Sequence, residues 1–503
     1  MRTKRVIYNV VTGIIPQMII GVLGFIKIKI FINTLGIELN GLMQLFAQLF
    51  AYLSLAEGGI GSAIQFRLYK LLSKKDWKSI NSLLSGAQTT FRKIAYVIIG
   101  VSLVISIRLD IFIKNNPFEL RYVQIAFFLY LISTIISYFY ISDRILLSSD
   151  QKLYKVNIIF NTTQILKFII EIILLLIGTN IFKLIILYII TNFISFNILK
   201  LIVTKEYSWY KRSISDKNFD FKADIKHLLP HKVMNTVAKS TDMIVISSFL
   251  GLVETGIYGV YNYIVNFFVQ IIDQISSAFF SIIGNYNAQE SKEKTKTLFK
   301  QYIVFNMVLS NVLCVPLLLV FNKFIFLWVG EKMMVDFFTM SLFVFILYYR
   351  IVTVPAGTFI SVNGLFKETK ISIYIEVIIN IILSIILVNF YGITGVLIGT
   401  VISLFASNFL YYPYILCKKV FKTNLKNYYI NIAKGTMISI CSIAFLSLLI
   451  YLIKYPINNY LSWFIFGFLI FLINLILTLI SYSLVFKEEF NFIKNKAINR
   501  GKK

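Results

Sequence analysis

Acidic residues are scarce in this chain. Only 23 of its 503 residues are Asp or Glu, and charged residues together make up 15%, where a soluble domain carries about 25%. The three cysteines, Cys314, Cys417 and Cys441, lie in or beside apolar stretches without CxxC spacing. That pattern excludes a zinc ribbon and offers no disulfide framework, so they read as small hydrophobes. The two histidines, His227 and His231, flank Pro230 in a polar stretch and read as surface positions. No G-x-x-x-x-G-K-[S/T] occurs, which excludes a phosphate-cradling loop and an ATP-driven module within this sequence. No catalytic residue, metal site or cofactor is expected.

What fills the chain is apolar: 58% of residues are hydrophobic even before glycine is counted. A soluble fold is excluded. A bilayer crossing takes roughly 20 apolar residues as a helix, and runs of that length fall near 7–32, 39–65, 85–107, 119–141, 155–178, 181–203, 229–253, 257–285, 299–322, 336–362, 369–390, 392–416, 428–453 and 459–486. The expectation is an all-α integral membrane protein of about fourteen helices. A β-barrel would alternate apolar and polar residues, whereas IIEIILLLIG and LIILYIITNFISF are apolar at successive positions. The start, MRTKR and an apolar run, lacks an A-x-A pattern and reads as a retained first span rather than a cleaved leader.

The formal charge of +27 follows the connections. With both termini on one side, that side holds about 34 Lys and Arg, and the other holds Arg108, Lys114, Lys323, Lys332 and Lys454. The basic side is therefore expected to be cytoplasmic, with anionic membrane lipid as its partner rather than nucleic acid. The longest polar stretch, 204–228, separates six spans from eight. FINTLGIELNGLMQLF (31–46) and ISSFLGLVETGIYGVY (246–261) share LG, a Glu and a Gly, aligning Glu38 and Gly41 with Glu254 and Gly256. The expected organisation is a six-helix lobe at 1–203, a cytoplasmic linker at 204–228, a second six-helix lobe at 229–416, and two extra helices with a basic tail at 417–503.

Several stretches carry a family likeness: LGIELNGLMQLF (35–46), YLSLAEGGIGSAI (52–64), RLYKLLSKKDWKSINSLLS (67–85), STDMIVISSFLGLVETGIYGVY (240–261), GLFKETK (364–370), IEVIINIILSIILV (375–388) and YGITGVLIGTVISL (391–404). Together they resemble the Wzx-type polysaccharide flippases of the multidrug/oligosaccharidyl-lipid/polysaccharide (MOP) exporter superfamily. The resemblance implies a MATE-like fold, with two six-helix lobes in a V around a cavity that opens alternately to either side. It also implies a multi-pass protein of the bacterial cytoplasmic membrane with both termini inside. The implied cargo is an undecaprenyl-diphosphate-linked oligosaccharide moved to the outer leaflet for capsule or O-antigen-like biosynthesis. Polysaccharide polymerase or assembly proteins are the implied partners, and function as a monomer is expected.

Ionisable residues inside the spans are the candidate functional groups, because a charge at mid-bilayer needs a partner or an aqueous cavity. They are Lys27 and Lys29 in the first span, Lys167 and Glu171 in the fifth, Lys239 and Asp242 in the seventh, Asp273 in the eighth and Arg350 in the tenth, with Glu57 and Glu376 in the second and eleventh. Lys167 with Glu171 (i, i+4) and Lys239 with Asp242 (i, i+3) have the spacing of neutralising pairs. Lys27 and Lys29 point about 160° apart around a helix, so at most one faces a cavity squarely. Arg350 has no acid at helical spacing and needs either the cavity or an acid on another helix. A diphosphate would be held by Arg350, Lys239, Lys167 and Lys27 or Lys29.

Tyr348 and Tyr349, with Tyr258, Tyr261, Tyr263 and Asn262, are candidate sugar contacts. Glu57, Asp242, Asp273 and Glu376 are the candidates for proton or sodium coupling. Pro16 and Pro355 permit kinks in the first and tenth spans. Three alternatives remain at this point: a cation-coupled multidrug exporter, a membrane enzyme such as a polymerase or ligase, and a flippase for a peptidoglycan or teichoic-type precursor. Short outer connections argue against the enzyme, and basic residues at depth argue against the drug exporter.

Overall fold

The computed structural model describes residues 2–211, 236–237, 240–453 and 455–489. All regular structure among them is helical. In chain order the elements are α1 (Arg2–Leu35), α2 (Ile37–Leu53), α3 (Ile60–Lys74), α4 (Trp77–Ile107), α5 (Leu120–Ile135), α6 (Ile141–Ser149), α7 (Leu153–Ile177) and α8 (Ile181–Glu206). They continue as α9 (240–249), α10 (Leu252–Gln289), α11 (Lys292–Val329), α12 (Phe337–Val362), α13 (Phe366–Leu404), α14 (Leu410–Ile415), α15 (Leu425–Ile453) and α16 (Tyr460–Val485).

Twelve stretches of the described residues are long and apolar enough to cross a membrane. One of them, Phe366–Phe421, spans 56 residues and holds two crossings, because Gly392 sits at φ 57°, ψ −134° in the middle of it. Only glycine takes that conformation without a Cβ clash. The chain doubles back there: Asn380 donates to Thr400 at 3.0 Å, and a Cβ at Gly395 would lie 2.1 Å from the Leu387 carbonyl oxygen. The spans expected at 369–390 and 392–416 are therefore one hairpin turning on a single residue. The seventh expected span is represented by α9, and its earlier part lies outside the described residues.

Two expected spans are not continuous helices. The second is α2 and α3, joined by a 3-10 turn at Ser54–Glu57 and two left-handed glycines, Gly58 and Gly59. The fourth, expected at 119–141, is α5 and a 3-10 turn at Ile136–Phe139, after which α6 runs on past the expected end. The two breaks meet, with Tyr138 hydrogen-bonded to Glu57. A 3-10 segment leaves backbone groups less well satisfied than an α-helix, and Gln88 supplies one donor by bonding the Tyr138 carbonyl at 3.0 Å. In contrast, α1 and α12 run on through Pro16 and Pro355.

Backbone contacts divide the chain into two compact units, Met1–Val260 and Tyr261–Lys503, with the division within α10; most of the expected linker at 204–228 lies outside the described residues. In unit 1 the core gathers Leu42, Leu45, Phe46 and Phe50 of α2 against Phe127 of α5, whose ring stacks on Phe50 at 4.9 Å. Unit 1 also contains α9 and the first turns of α10. There the two repeated motifs cross one another. Gly36 and Gly251 both have positive φ before α2 and α10, a Cβ on Gly41 would lie 2.1 Å from the Leu252 carbonyl oxygen, and one on Gly256 would lie 2.6 Å from Ile37. Close backbone approach of this kind is what small residues permit in membrane helices. Trp209, just past α8, stacks on Trp77 at 4.4 Å, and Asn81 clasps the same segment through the Trp209 carbonyl and the Lys211 amide.

Unit 2 is built on α11. The α15–α16 pair packs along it rather than standing apart: Asn474 donates to the Asn311 carbonyl at 3.0 Å, Trp463 to that of Val320 at 3.2 Å and Tyr460 to that of Leu327 at 2.6 Å. Gly435 lets α15 close on Met307 of α11. After α13 the helix widens into two π turns, Phe405–Phe409 and Leu416–Phe421, on either side of α14.

Candidate functional site

Three charged candidates of unit 1, Lys27, Lys167 and Glu171, converge between α1, α7 and α8. Glu171 is fully buried. Its Oε1 lies 3.2 Å from the Lys27 ammonium and accepts a 2.6 Å hydrogen bond from Tyr188, while Oε2 has no hydrogen-bond partner. The pairing of Lys167 with Glu171 expected from i, i+4 spacing is thus replaced by a cross-helix one. Lys27 reaches Glu171 from α1, and Lys167 instead lies over the Tyr188 ring at 4.7 Å and the Phe168 ring at 5.4 Å. Aromatic faces hold an ammonium through their quadrupole. Lys27 also lies 5.3 Å from the centre of the Phe168 ring. The group therefore places two ammonium ions around one carboxylate, and Lys29 is half-buried two residues further along α1. Tyr188 was not among the expected site residues; nothing in the α8 run singles it out before its neighbour is known.

Unit 2 arranges its charge differently. Glu376 of α13 is buried and accepts hydrogen bonds from Ser407 at 2.8 Å and Asn408 at 2.9 Å. Ser407 and Asn408 are consecutive residues of the first π turn, whose wider pitch brings both side chains to the same carboxylate. Arg350 of α12 is near enough to act electrostatically on that carboxylate from another helix, without forming an ion pair with it. Tyr349 is buried with its hydroxyl donated to the Leu404 carbonyl at 2.6 Å. Tyr348 bonds Thr436 at 3.1 Å and borders a cavity of about 490 Å³ whose other walls include Cys314, Val315, Phe345, Ile440 and Ile443. That wall is mostly apolar.

The remaining candidates are dispersed. Lys239 lies outside the described residues, as do His227, Pro230 and His231. Asp242, its expected partner, is buried in α9 and accepts from Tyr258 of α10 at 3.1 Å. Glu57 is engaged by Tyr138 at the paired helix breaks. Asp273 is exposed on α10. Tyr261 is fully buried, between Asn322 and the Val335 amide. Asp143, assigned by sequence to a connection, is buried in α6. Among the described residues no group of three or more His, Cys, Asp or Glu could hold a metal ion.

The fold is similar to those of solved MurJ and MATE membrane proteins. The lipid II flippase MurJ, in an inward closed conformation, superposes with a TM-score of 0.70 at 16% identity, over 94% of this chain and 98% of that one. An inward-facing multidrug resistance MATE transporter of the MOP superfamily gives 0.66 at 13% identity, over 80% of this chain and 97% of that one. The eukaryotic MATE transporter AtDTX14 gives 0.61 at 14%, over 84% and 96%. No protein-family model matches the sequence, and no curated protein does either.

Proposed function

We propose that this chain is a flippase that moves undecaprenyl-diphosphate-linked oligosaccharide from the cytoplasmic to the outer leaflet of the bacterial plasma membrane by alternating access. The observation that carries the reading is the excess of cation over anion at depth in unit 1, where Lys27 takes the one buried carboxylate, Glu171, and Lys167 is left over the Tyr188 ring. An uncompensated ammonium in a spanning helix is expensive unless an anion visits it, and a diphosphate is such an anion. On this reading Lys167 meets the diphosphate, and Lys29 of α1, in the same unit, adds positive charge. The carboxylates Glu57, Asp242, Asp273 and Glu376 are the positions where a proton or sodium gradient would couple.

A flippase for a peptidoglycan or teichoic-type precursor is the second reading, favoured by the likeness to lipid II flippase MurJ over nearly the whole length of both chains. It differs in headgroup and not in the cation site. The test is deletion of the gene followed by mass spectrometry of undecaprenyl-linked intermediates and assay of surface polysaccharide. Complete repeat units trapped on the cytoplasmic side, cleared by wild type and not by Lys167→Ala, support the oligosaccharide cargo. Trapped peptidoglycan or teichoic precursor moves the assignment to the second reading. Normal envelopes with altered drug sensitivity would overturn both.

A further inference from the structure

We infer that the basic end of unit 2 carries a site for the phosphodiester headgroup of an anionic membrane lipid, in a cavity between the first turns of α11 and α15. The cavity measures about 220 Å³. One wall is Lys296 and Lys300 of α11, and the facing wall is Asn427 and Asn431 of α15. Each pair is spaced i, i+4 and so lies on one face of its helix. Thr423 and Asn424 line the cavity from the connection leading into α15. Two ammonium groups and a row of amide and hydroxyl donors match a phosphodiester, which carries one negative charge spread over two oxygens.

The competing internal acid is weak. Glu293 stands 4.0 Å from Lys296 and is itself 85% exposed, so the lysines are not neutralised from within. Beneath the polar rim the floor is aromatic: Phe299 stacks on Phe421 at 5.0 Å and on Tyr428 at 6.2 Å. A polar mouth over an apolar floor suits a molecule with a charged head and a glycerol-linked tail, and gives a free phosphate ion nothing for its lower half. Depth argues the same way. Both helices are membrane-spanning candidates, and Lys296 and Lys300 lie within the first three turns of α11, roughly 6 to 12 Å along its axis from Lys292. Lipid phosphates are concentrated at that level. Neighbouring Lys418, Lys422 and Lys426 add positive potential that draws anionic lipid to this end.

The inference does not rest on the cargo proposed above. It is tested on the full-length protein in detergent by native mass spectrometry, with phosphatidylglycerol titrated against phosphatidylcholine. Wild type is expected to hold phosphatidylglycerol in preference. Lys296→Gln/Lys300→Gln is expected to weaken that binding on the order of tenfold, whereas Lys74→Gln/Lys75→Gln, with equal loss of charge at exposed positions that do not line the cavity, changes it less than twofold. Asn427→Leu, which fills the cavity without altering charge, is also expected to weaken binding. Equal losses in both double variants, an indifferent Asn427→Leu, equal retention of phosphatidylcholine, or displacement by millimolar inorganic phosphate would each overturn the site.

Discussion

Glu171 in unit 1 and Glu376 in unit 2 are both buried carboxylates in membrane-spanning helices, yet they are stabilised by opposite means. Glu171 is held by an ammonium and a phenol, with one oxygen left without a donor. Glu376 is held by two neutral donors from a π turn, with Arg350 acting on it electrostatically. The first arrangement counts two cations to one anion, and the second counts one to one. The difference separates a site with charge to spare from a site whose charge is settled internally.

Removing Glu171 should have the largest effect. Breaking a buried ion pair costs about 3–5 kcal/mol because it strands the partner charge, and here Glu171→Leu strands Lys27 next to Lys167. The variant is expected to lose its folded fraction in detergent thermal-shift assays, and Lys27→Met/Glu171→Leu is expected to recover most of it. A stable single variant would mean that Lys27 reaches water and the pair is not the support it resembles. Glu376→Gln should do less, about 1–3 kcal/mol, since the amide still accepts from Ser407 or Asn408 while Arg350 loses its counter-charge. Thermal shifts of the two acid variants measured side by side would break the comparison if Glu376→Gln proved the worse.

Ser407→Ala removes one neutral hydrogen bond and should cost about 1 kcal/mol, read in the same assay. Lys167→Met should change stability least, by under about 1 kcal/mol, because the lost ring contact is offset by relief from Lys27. It is also the variant expected to abolish export. If instead it destabilised the protein as strongly as Glu171→Leu, the spare cation would be structural.

The legible part of this protein was its spans. Hydropathy located the membrane-crossing stretches, including the α13 hairpin on either side of Gly392, because a bilayer imposes length and apolarity on every crossing, whereas α6 falls in a stretch between expected spans. The breaks at Ser54–Glu57 and Ile136–Phe139 were not legible: YLSLAEGG carries two adjacent glycines, but nothing in ISTIISYFY marks a 3-10 turn, and the two breaks depend on meeting each other. Charge partners divided in the same manner. Spacing along one helix proposed Lys167 for Glu171, whereas the structure supplied Lys27 from a helix about 140 residues away in sequence, a relation that no local pattern encodes. Arg350 was correctly read as lacking an acid on its own helix; which acid answered it could come only from packing. Ser407 and Asn408 were invisible for a further reason, since consecutive residues on an α-helix point about 100° apart and only a π turn brings both to one carboxylate.

Those π turns also act as phase shifters. Each holds a residue more per turn than the α-helix around it, so every side chain downstream is rotated by the angle of one residue, about 100°. Two such shifts flank the six residues of α14 before the chain enters α15. The helix ends at Lys422, which is left-handed, so the shift does not pass into α15; what the first π turn sets by residue count is the face of α14, on which Pro413 and Ile415 are buried. Substitutions between 405 and 409 should be absorbed far more readily than the deletion of any one residue there, which would turn α14 onto the wrong side.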